Sequence, residues 1–324
     1  MLQTVKNDRK NVESLLHSIR KNEPLIHCIT NPISINDCAN AVLATGAKPI
    51  MAEHPLEVAH ITSMASVLAV NLGNITDARM ESIMISGRQA EELNIPSIID
   101  SVGVTCSDIR LKLAKEYIDI CRPAVIKGNI SEIKVLCGEE SDAAGIDVSS
   151  KDVFSEDNQD KMMVTAGIVK ELSIRTGAVV VASGKIDTIS DGTDVYFIKN
   201  GCEMMSRITG TGCMLNVLIA SYLSASADDK KLKGLSNLQA AIYATAMFGI
   251  AGERAARKTD RSLSGLGSFH MYLMDEISLI DADIIEKEGR ICKLCFVEMR
   301  GVVGKWRIVL GILKRWMSAK KLYR

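Results

Sequence analysis

Short apolar runs alternate with longer segments of helical periodicity along most of the chain. Runs such as Val67 to Leu72 and Ala178 to Ala182 are apolar at nearly every position, which is typical of strands covered on both faces of a parallel sheet. The predicted strands are Leu25 to Ile29, Pro49 to Ala52, Val67 to Leu72, Ser97 to Asp100, Ala124 to Lys127, Ala178 to Ala182, and the hairpin Ile186 to Ser190 with Val195 to Ile198. The predicted helices are Ser34 to Ala44, Asp77 to Glu92, Ser131 to Leu136, Lys161 to Thr176, Gly212 to Ser224, Leu235 to Arg257 and Phe269 to Ile277. This alternation predicts an α/β fold in which a mostly parallel central sheet carries helices on both faces.

Polar side chains lie where several of the predicted strands end. Asp100, Lys127, Asn129 and Ser183 occupy such positions. Ligands of parallel α/β sheets bind at the carboxyl ends of the strands, so these residues are candidates for one binding site. Each of them alone is also explained by the capping of a turn. Their combination with the glycine-rich segment at residues 210–213 favours a site.

The segment Gly210-Thr211-Gly212-Cys213 immediately precedes the apolar run of residues 214–220. Two glycines one residue apart break the backbone where a helix begins, so that the amides there can point the same way. Together with the positive end of the helix dipole, they predict a pocket for an anion, most naturally a phosphate. The thiol of Cys213 lies at the edge of this pocket. The segment therefore indicates an enzyme that transfers a phosphoryl group.

Composition narrows the function classes. The chain has 324 residues, 47% of them hydrophobic, and a formal net charge of zero, which argues against a nucleic-acid partner. The nine cysteines are irregularly spaced and odd in number, so we expect reduced thiols, including Cys292 and Cys295, rather than a disulfide framework. No signal-like segment and no apolar run of the roughly 20 residues that span a bilayer is present, which predicts a cytoplasmic protein.

The composition changes after residue 284. Residues 285–324 contain eleven Lys and Arg against three Glu, together with both tryptophans of the chain. Apolar residues recur at helical spacing between Trp306 and Met317 with basic residues beside them, which predicts a basic amphipathic helix. We therefore divide the chain into a domain of residues 1–284 and a C-terminal extension of residues 285–324. A terminal helix that packs on the domain or is poorly ordered is favoured over one that lies on an anionic membrane or docks on a partner.

Several segments, in this order, resemble the signature motifs of the hydroxyethylthiazole kinase family. They are Pro24-Leu-Ile-His-Cys-Ile-Thr-Asn31, Asn36-Asp-Cys-Ala-Asn40, Gly46-Ala-Lys-Pro-Ile-Met-Ala52, Asp100-Ser-Val-Gly103, Lys127-Gly-Asn-Ile-Ser-Glu-Ile133, Thr209-Gly-Thr-Gly-Cys-Met214 and Gly267-Ser-Phe269. The resemblance extends from about Leu15 to about Asp283. It implies a three-layer ribokinase-like fold and the phosphorylation, by ATP with Mg²⁺, of the primary hydroxyl of 4-methyl-5-(2-hydroxyethyl)thiazole in thiamine salvage. It also implies a homotrimer with substrate pockets at the subunit interfaces.

The resemblance also implies roles for residues on the alcohol side of the site. Cys213 matches the catalytic position, at which ribokinase-like enzymes usually hold an Asp. A helix N-terminus lowers the pKa of a thiol, whereas bound phosphate opposes that effect. Two roles for Cys213 therefore remain open: it is either a general base or a residue that only shapes the anion pocket. Asn31, Met51 and Gly210 match substrate-contacting positions.

The residues implied for ATP binding are Lys127, Ser183, Thr211 and Gly212, and those implied for Mg²⁺ are Asp100 and Glu132. Lys127 stands where the family commonly has Arg, and it keeps the positive charge without the fork geometry. Magnesium bound to a nucleotide usually takes only one or two carboxylates from the protein, which suits this pair of acids.

One loop departs from the family pattern. Asp-Pro-Val-Gly-Ala-Gly is replaced by residues 100–105 with the sequence Asp-Ser-Val-Gly-Val-Thr, so a stiff proline and a flexible glycine are lost beside the expected metal site. We therefore expect a lowered turnover.

Three other functions remain as alternatives. They are a hydroxymethylpyrimidine kinase, a nucleotide-dependent dehydratase of hydrated nicotinamide cofactors, and a non-catalytic binding or membrane-associated protein. The dehydratases keep an Asp after the glycines, so Cys213 argues against the second of these.

Overall fold

The computed structural model describes residues 2–5, 8–139, 159–228 and 236–295. The strands are β1 (Leu2–Thr4), β2 (Leu25–Ile29), β3 (Lys48–Ile50), β4 (Val67–Asn71), β5 (Ser97–Asp100), β6 (Val125–Asn129), β7 (Val179–Ser183), β8 (Asp187–Ser190), β9 (Val195–Ile198) and β10 (Ile291–Leu294). The α-helices are α1 (Arg9–Asn22), α2 (Ile35–Thr45), α3 (Val58–Met64), α4 (Asp77–Glu92), α5 (Asp108–Cys121), α6 (Ile130–Cys137), α7 (Gln159–Thr176), α8 (Thr211–Asp228), α9 (Asn237–Arg261), α10 (Leu266–Leu279) and α11 (Ala282–Glu288).

All of these strands belong to one sheet, in the order β1-β10-β9-β8-β7-β6-β5-β4-β2-β3. Strands β3, β2, β4, β5, β6 and β7 are parallel to one another. The remaining four strands pair antiparallel at the other end of the sheet. The predicted fold class, an α/β protein with a mostly parallel sheet, is confirmed, as is the hairpin of β8 and β9.

The sheet separates two hydrophobic cores, because successive side chains of a strand point to opposite faces. In β4, Val67 and Ala69 join the core that also contains residues of α1, α2, α8, α9 and α10. Leu68 and Val70 join the other core, formed with residues of α3 to α7. The protein therefore has three layers, with helices on both faces of the sheet.

The C-terminal part of the described chain belongs to this domain. Ile285 is fully buried in the core, and β10 inserts between β9 and β1. The boundary predicted after residue 284 is therefore not marked by a break in the fold. The amphipathic helix predicted between Trp306 and Met317 lies outside the described residues. Within the described ranges, no helix is both long and apolar enough to cross a bilayer.

Candidate active site

The polar residues at three neighbouring strand ends form a row across the sheet. Asn71 of β4 is in register with Asp100 of β5, and Asp100 is in register with Lys127 of β6. Each lies an even number of residues after a position that faces the α8 core, namely Ala69, Ile98 and Val125. The two-residue period of the strands therefore turns all three polar side chains toward α8.

Lys127 and Asp100 form a buried ion pair in this row. Nζ of Lys127 lies 2.9 Å from Oδ2 of Asp100, and Nδ2 of Asn71 donates to the same oxygen over 2.9 Å. Burial opposes the charge on Lys127, but the facing Asp100 carboxylate outweighs it, so that the pKa of Lys127 is raised overall. The other oxygen, Oδ1 of Asp100, is buried without a hydrogen-bond partner among the described residues.

The N-terminus of α8 lies beside this pair. A Cβ atom added at Gly212 would lie 3.5 Å from Nζ of Lys127, which places the cation against the first turn of the helix. No acceptor in the described part of the chain takes the backbone N–H of Thr211, Gly212 or Cys213. Free amides at a helix N-terminus next to a lysine are the arrangement that an anion pocket requires, and the glycines predict such a pocket.

Two further contacts define the first turn of α8. Gly210 has φ of +87°, a conformation that favours glycine, and an added Cβ would lie 3.0 Å from Cβ of Ser34. The Thr211 hydroxyl donates to the carbonyl of Met205 over 3.0 Å. The Thr211 side chain is therefore used within the protein, which leaves its backbone amide as the group available to an anion.

Cys213 occupies the next position of this turn. It is 8% exposed, and Nδ2 of Asn71 donates to its sulfur over 3.4 Å. Burial raises the pKa of the thiol, and the charge of Asp100 raises it further, against the opposing effects of Ser34, Lys127 and Asn71. Desolvation and the nearby Asp100 carboxylate therefore outweigh the effects that lower the pKa of this thiol. The structure thus favours a neutral thiol at Cys213.

Glu132 supports the loop that follows Asp100. Its Oε2 accepts from the backbone N–H of Asn129 over 2.7 Å, and its Oε1 accepts from that of Gly103 over 2.9 Å. Burial, followed by the charge of Asp100, raises the pKa of Glu132 to about 7. Both carboxylate oxygens of Glu132 therefore have structural partners within the protein.

Ser101 holds the same loop at the position where the family pattern has proline. Its backbone N–H and its hydroxyl both donate to the carbonyl of Lys127, over 2.8 Å and 2.9 Å. Proline has neither donor. The two hydrogen bonds of Ser101 thus hold the backbone after Asp100 in place, as the proline ring does in the family pattern.

The predicted substrate-side residues lie at the adjacent sheet edge. Asn31 follows β2, and its Oδ1 accepts from the backbone N–H of Ile33 and from Nδ2 of Asn74. Met51 follows β3, which is the edge strand of the sheet, and it is partly buried against the core that contains Cys213. The described contacts do not bring Met51 and Gly210 together within one chain.

Ser183 lies at the opposite side of the row, at the end of β7. It is in register with Asn129, and its hydroxyl donates to the carbonyl of Gly128 over 3.3 Å. Ser183 is half-buried, so it borders the site without lying in the ion-pair row.

The prediction of the site from sequence missed Asn71 and Ser34. Both are buried polar residues that contact the first turn of α8. Asn71 was detectable only as the one polar residue within an apolar strand. Ser34 was included in a predicted helix, where it is the N-cap residue of α2.

The acidic residues partly fit a magnesium ion. The partnerless Oδ1 of Asp100 is a hard oxygen of the type that Mg²⁺ prefers. Among the residues that the structure describes, no group of three or more His, Cys, Asp or Glu side chains converges. So few protein oxygens suit a Mg²⁺ ion whose other ligands are mainly the phosphate oxygens of a nucleotide and water.

The fold defines the class of protein. A ribokinase-like superfamily protein from Enterococcus faecalis V583 matches with a TM-score of 0.53 at 12% identity, covering 81% of this chain and 89% of that chain. A hydroxyethylthiazole kinase from Pyrococcus horikoshii OT3 matches with a TM-score of 0.75 at 26% identity, covering 88% of this chain and 100% of that chain. The predicted ribokinase-like architecture is confirmed.

The sequence narrows this class to one family. Residues 16–283 match the profile of the hydroxyethylthiazole kinase family. "Hydroxyethylthiazole kinase 2" of Clostridium botulinum (strain Hall) is 52% identical over 274 residues, which cover 85% of this chain and 97% of that protein. The chain therefore belongs to the hydroxyethylthiazole kinase family, as its motifs predicted.

Proposed function

We propose that the protein transfers the terminal phosphoryl group of ATP to the primary hydroxyl of 4-methyl-5-(2-hydroxyethyl)thiazole, as a cytoplasmic enzyme of thiamine salvage. The products are the thiazole phosphate monoester, ADP and one proton. The observation that carries the proposal is the free set of α8 amides beside Lys127, with the sulfur of Cys213 in the same turn. Family membership supplies the identity of the two substrates.

The roles of the residues follow from their positions. The transferred phosphate is bound and oriented by the backbone amides of Thr211 and Gly212 and by the ammonium group of Lys127. These groups concentrate positive charge at one point. Asp100 holds Lys127 in place through its Oδ2. Asp100, with Glu132 nearby, would hold Mg²⁺, which supplies charge neutralisation of the phosphate oxygens. Ser183 borders the nucleotide side.

Cys213 contacts the incoming alcohol. Phosphoryl transfer in such enzymes depends mainly on positioning and electrostatic stabilisation, so a neutral thiol can orient the hydroxyl without removing its proton early. Asn31, Met51 and Gly210 form the thiazole pocket. Because Met51 lies at the sheet edge, we also propose that a homotrimer completes this pocket across a subunit interface.

A substrate screen with coupled detection of ADP tests the proposal. We expect ADP release in the presence of the thiazole alcohol and little with hydroxymethylpyrimidine. Cys213→Ala should reduce turnover sharply, whereas Cys292→Ala should not, although both thiols are 8% exposed. Release of ADP that does not depend on the thiazole alcohol would contradict the proposal.

A further inference from the structure

The side-chain amide of Asn71 links the buried ion pair to the sulfur of Cys213. Its Nδ2 lies 2.9 Å from Oδ2 of Asp100 and 3.4 Å from Sγ of Cys213. An amide nitrogen carries two hydrogens, so these two contacts use its whole donor capacity. Asn71 is fully buried, and no motif of the sequence assigns it a role.

The orientation of this amide is fixed on its other side. Oδ1 of Asn71 accepts from the backbone N–H of Gly73 over 2.8 Å. An ionised carboxylate only accepts hydrogen bonds, so a flipped amide would set its oxygen against Asp100 and its nitrogen against the N–H of Gly73. The NH₂ group must therefore face Asp100 and Cys213.

The orientation of Asn71 determines what the sulfur of Cys213 can do. Because the amide donates to the sulfur, the sulfur is an acceptor on the β4 side, and its own proton points elsewhere. The nearby hydroxyl of Ser34 is already engaged, because it donates to the carbonyl of Asn31 over 3.2 Å and accepts from the thiol of Cys38 over 3.7 Å. The contact with Asn71 therefore fixes the side of the sulfur that faces β4.

We propose that Asn71 is a positioning residue for phosphoryl transfer, which holds the Cys213 thiol in a fixed position relative to the Asp100 carboxylate. Its effect on turnover rests on the proposed kinase activity. Its effect on the sulfur of Cys213 does not, because that effect follows from contacts within the chain itself.

The variant Asn71→Leu tests this role, because leucine has a similar branched shape and no hydrogen-bond donor. We expect kcat to fall by about tenfold to a hundredfold, the effect typical of losing a hydrogen bond to a charged group, with KM for both substrates unchanged. The second readout is the alkylation of Cys213 by iodoacetamide without substrates, followed by peptide mass spectrometry with Cys295 as the reference. Alkylation should slow, because a donor to sulfur favours the reactive thiolate.

Two further variants keep the test decisive. Asn200→Leu removes another buried amide, which bonds the carbonyl of Glu288 over 2.9 Å and lies after β9, far from β4 in the sheet order. It should lower Tm without changing kcat or the alkylation of Cys213. Asn71→Asp keeps the acceptor for Gly73 and the side-chain size, so it replaces Asn71→Leu if that variant does not fold. A carboxylate beside the sulfur should likewise lower kcat and slow alkylation.

The outcomes separate the two proposals. An unchanged kcat in a folded Asn71 variant of an active kinase, or an unchanged ratio of Cys213 to Cys295 alkylation, would overturn the role of Asn71. If the wild-type protein does not phosphorylate the thiazole alcohol but Asn71→Leu still slows alkylation of Cys213, the kinase proposal fails and the contact role of Asn71 is supported.

Discussion

Lys127 and Asp100 form an ion pair, with 2.9 Å between Nζ and Oδ2, that is buried between the sheet and helix α8. Their side chains are only 3% and 0% exposed, so both charges have lost most of their hydration. The desolvation of a buried pair often cancels its electrostatic gain, so such a pair is weak evidence for stability. Since Lys127 also borders the free amides of α8, we interpret the pair as a cation held in place for a phosphate.

Removal of the positive charge of Lys127 should nevertheless destabilise the folded protein. Lys127→Met should lower the free energy of unfolding by about 3 to 5 kcal/mol, because it leaves the Asp100 carboxylate buried without its partner. Urea denaturation measures this change. In Lys48→Met, which breaks an exposed pair with Glu23, the loss should be below about 1 kcal/mol. An equal decrease in the free energy of unfolding of the two variants would show that the buried ion pair contributes no more to stability than the exposed one.

The two glycines before Cys213 should respond differently to alanine. Gly212→Ala should fold normally, because its Cβ would meet only Nζ of Lys127, at 3.5 Å, and its φ is not in the left-handed region. The new methyl group would occupy the space between Lys127 and the amides. We therefore expect a raised KM for ATP with an unchanged Tm, measured by steady-state kinetics and thermal unfolding.

Gly210→Ala should instead destabilise the fold. Its φ of +87° is unfavourable for alanine by about 1 to 2 kcal/mol, and the added Cβ would press on Ser34 at 3.0 Å. Thermal unfolding should show a lowered Tm. Gly267→Ala is the control, since a Cβ there meets no atom within 4 Å. A Tm of Gly210→Ala equal to that of the control would contradict the described backbone.

The raised pKa of Glu132 makes stability depend on pH. Its ordinary value of 4.5 rises to about 7 in the folded protein through burial and the charge of Asp100. The folded state therefore retains a proton that the unfolded chain releases, and the stability from this group is present below pH 4.5 and lost as the pH rises through 7.

The variant Glu132→Gln isolates this effect, because an amide does not titrate. The difference in unfolding free energy between wild type and variant should fall by about 3 kcal/mol from the lower to the upper end of that pH window. Urea denaturation without nucleotide or magnesium measures it. Asp187, whose pKa is also raised to about 7, is present in both proteins and cancels from the difference. A difference that is constant with pH would place the Glu132 pKa near its ordinary value.

Much of the parallel half of the fold was predictable from local pattern. The apolar runs that became β4 to β7 and the glycines before α8 were visible in the sequence, since strand burial and helix initiation leave local signals. Strand β10 was not predicted because it lies in a basic segment and forms its pairs with β1 and β9, far away in sequence. The short strand β1 has no recognisable strand pattern in the sequence, because it is defined by its pairing with β10.

The charged residues of the site were predictable from the sequence, but the contacts between them were not. Asp100, Lys127 and Cys213 stood out as polar residues after strands or glycines. The row from Asn71 to Lys127 depends on strand register, which sequence alone does not fix. The raised pKa of Cys213 depends on burial and on the distance to Asp100, both of which arise only when α8 packs on the sheet.

Product analysis by phosphorus NMR tests the central claim most directly. The protein is incubated with ATP, Mg²⁺ and 4-methyl-5-(2-hydroxyethyl)thiazole, and the signals of phosphate monoester, ADP and inorganic phosphate are followed. A site that directs the phosphoryl group to the alcohol beside Cys213 predicts monoester and ADP in equal amounts, and loss of both in Cys213→Ala. Formation of ADP with inorganic phosphate alone, or of no ADP, would contradict the claim.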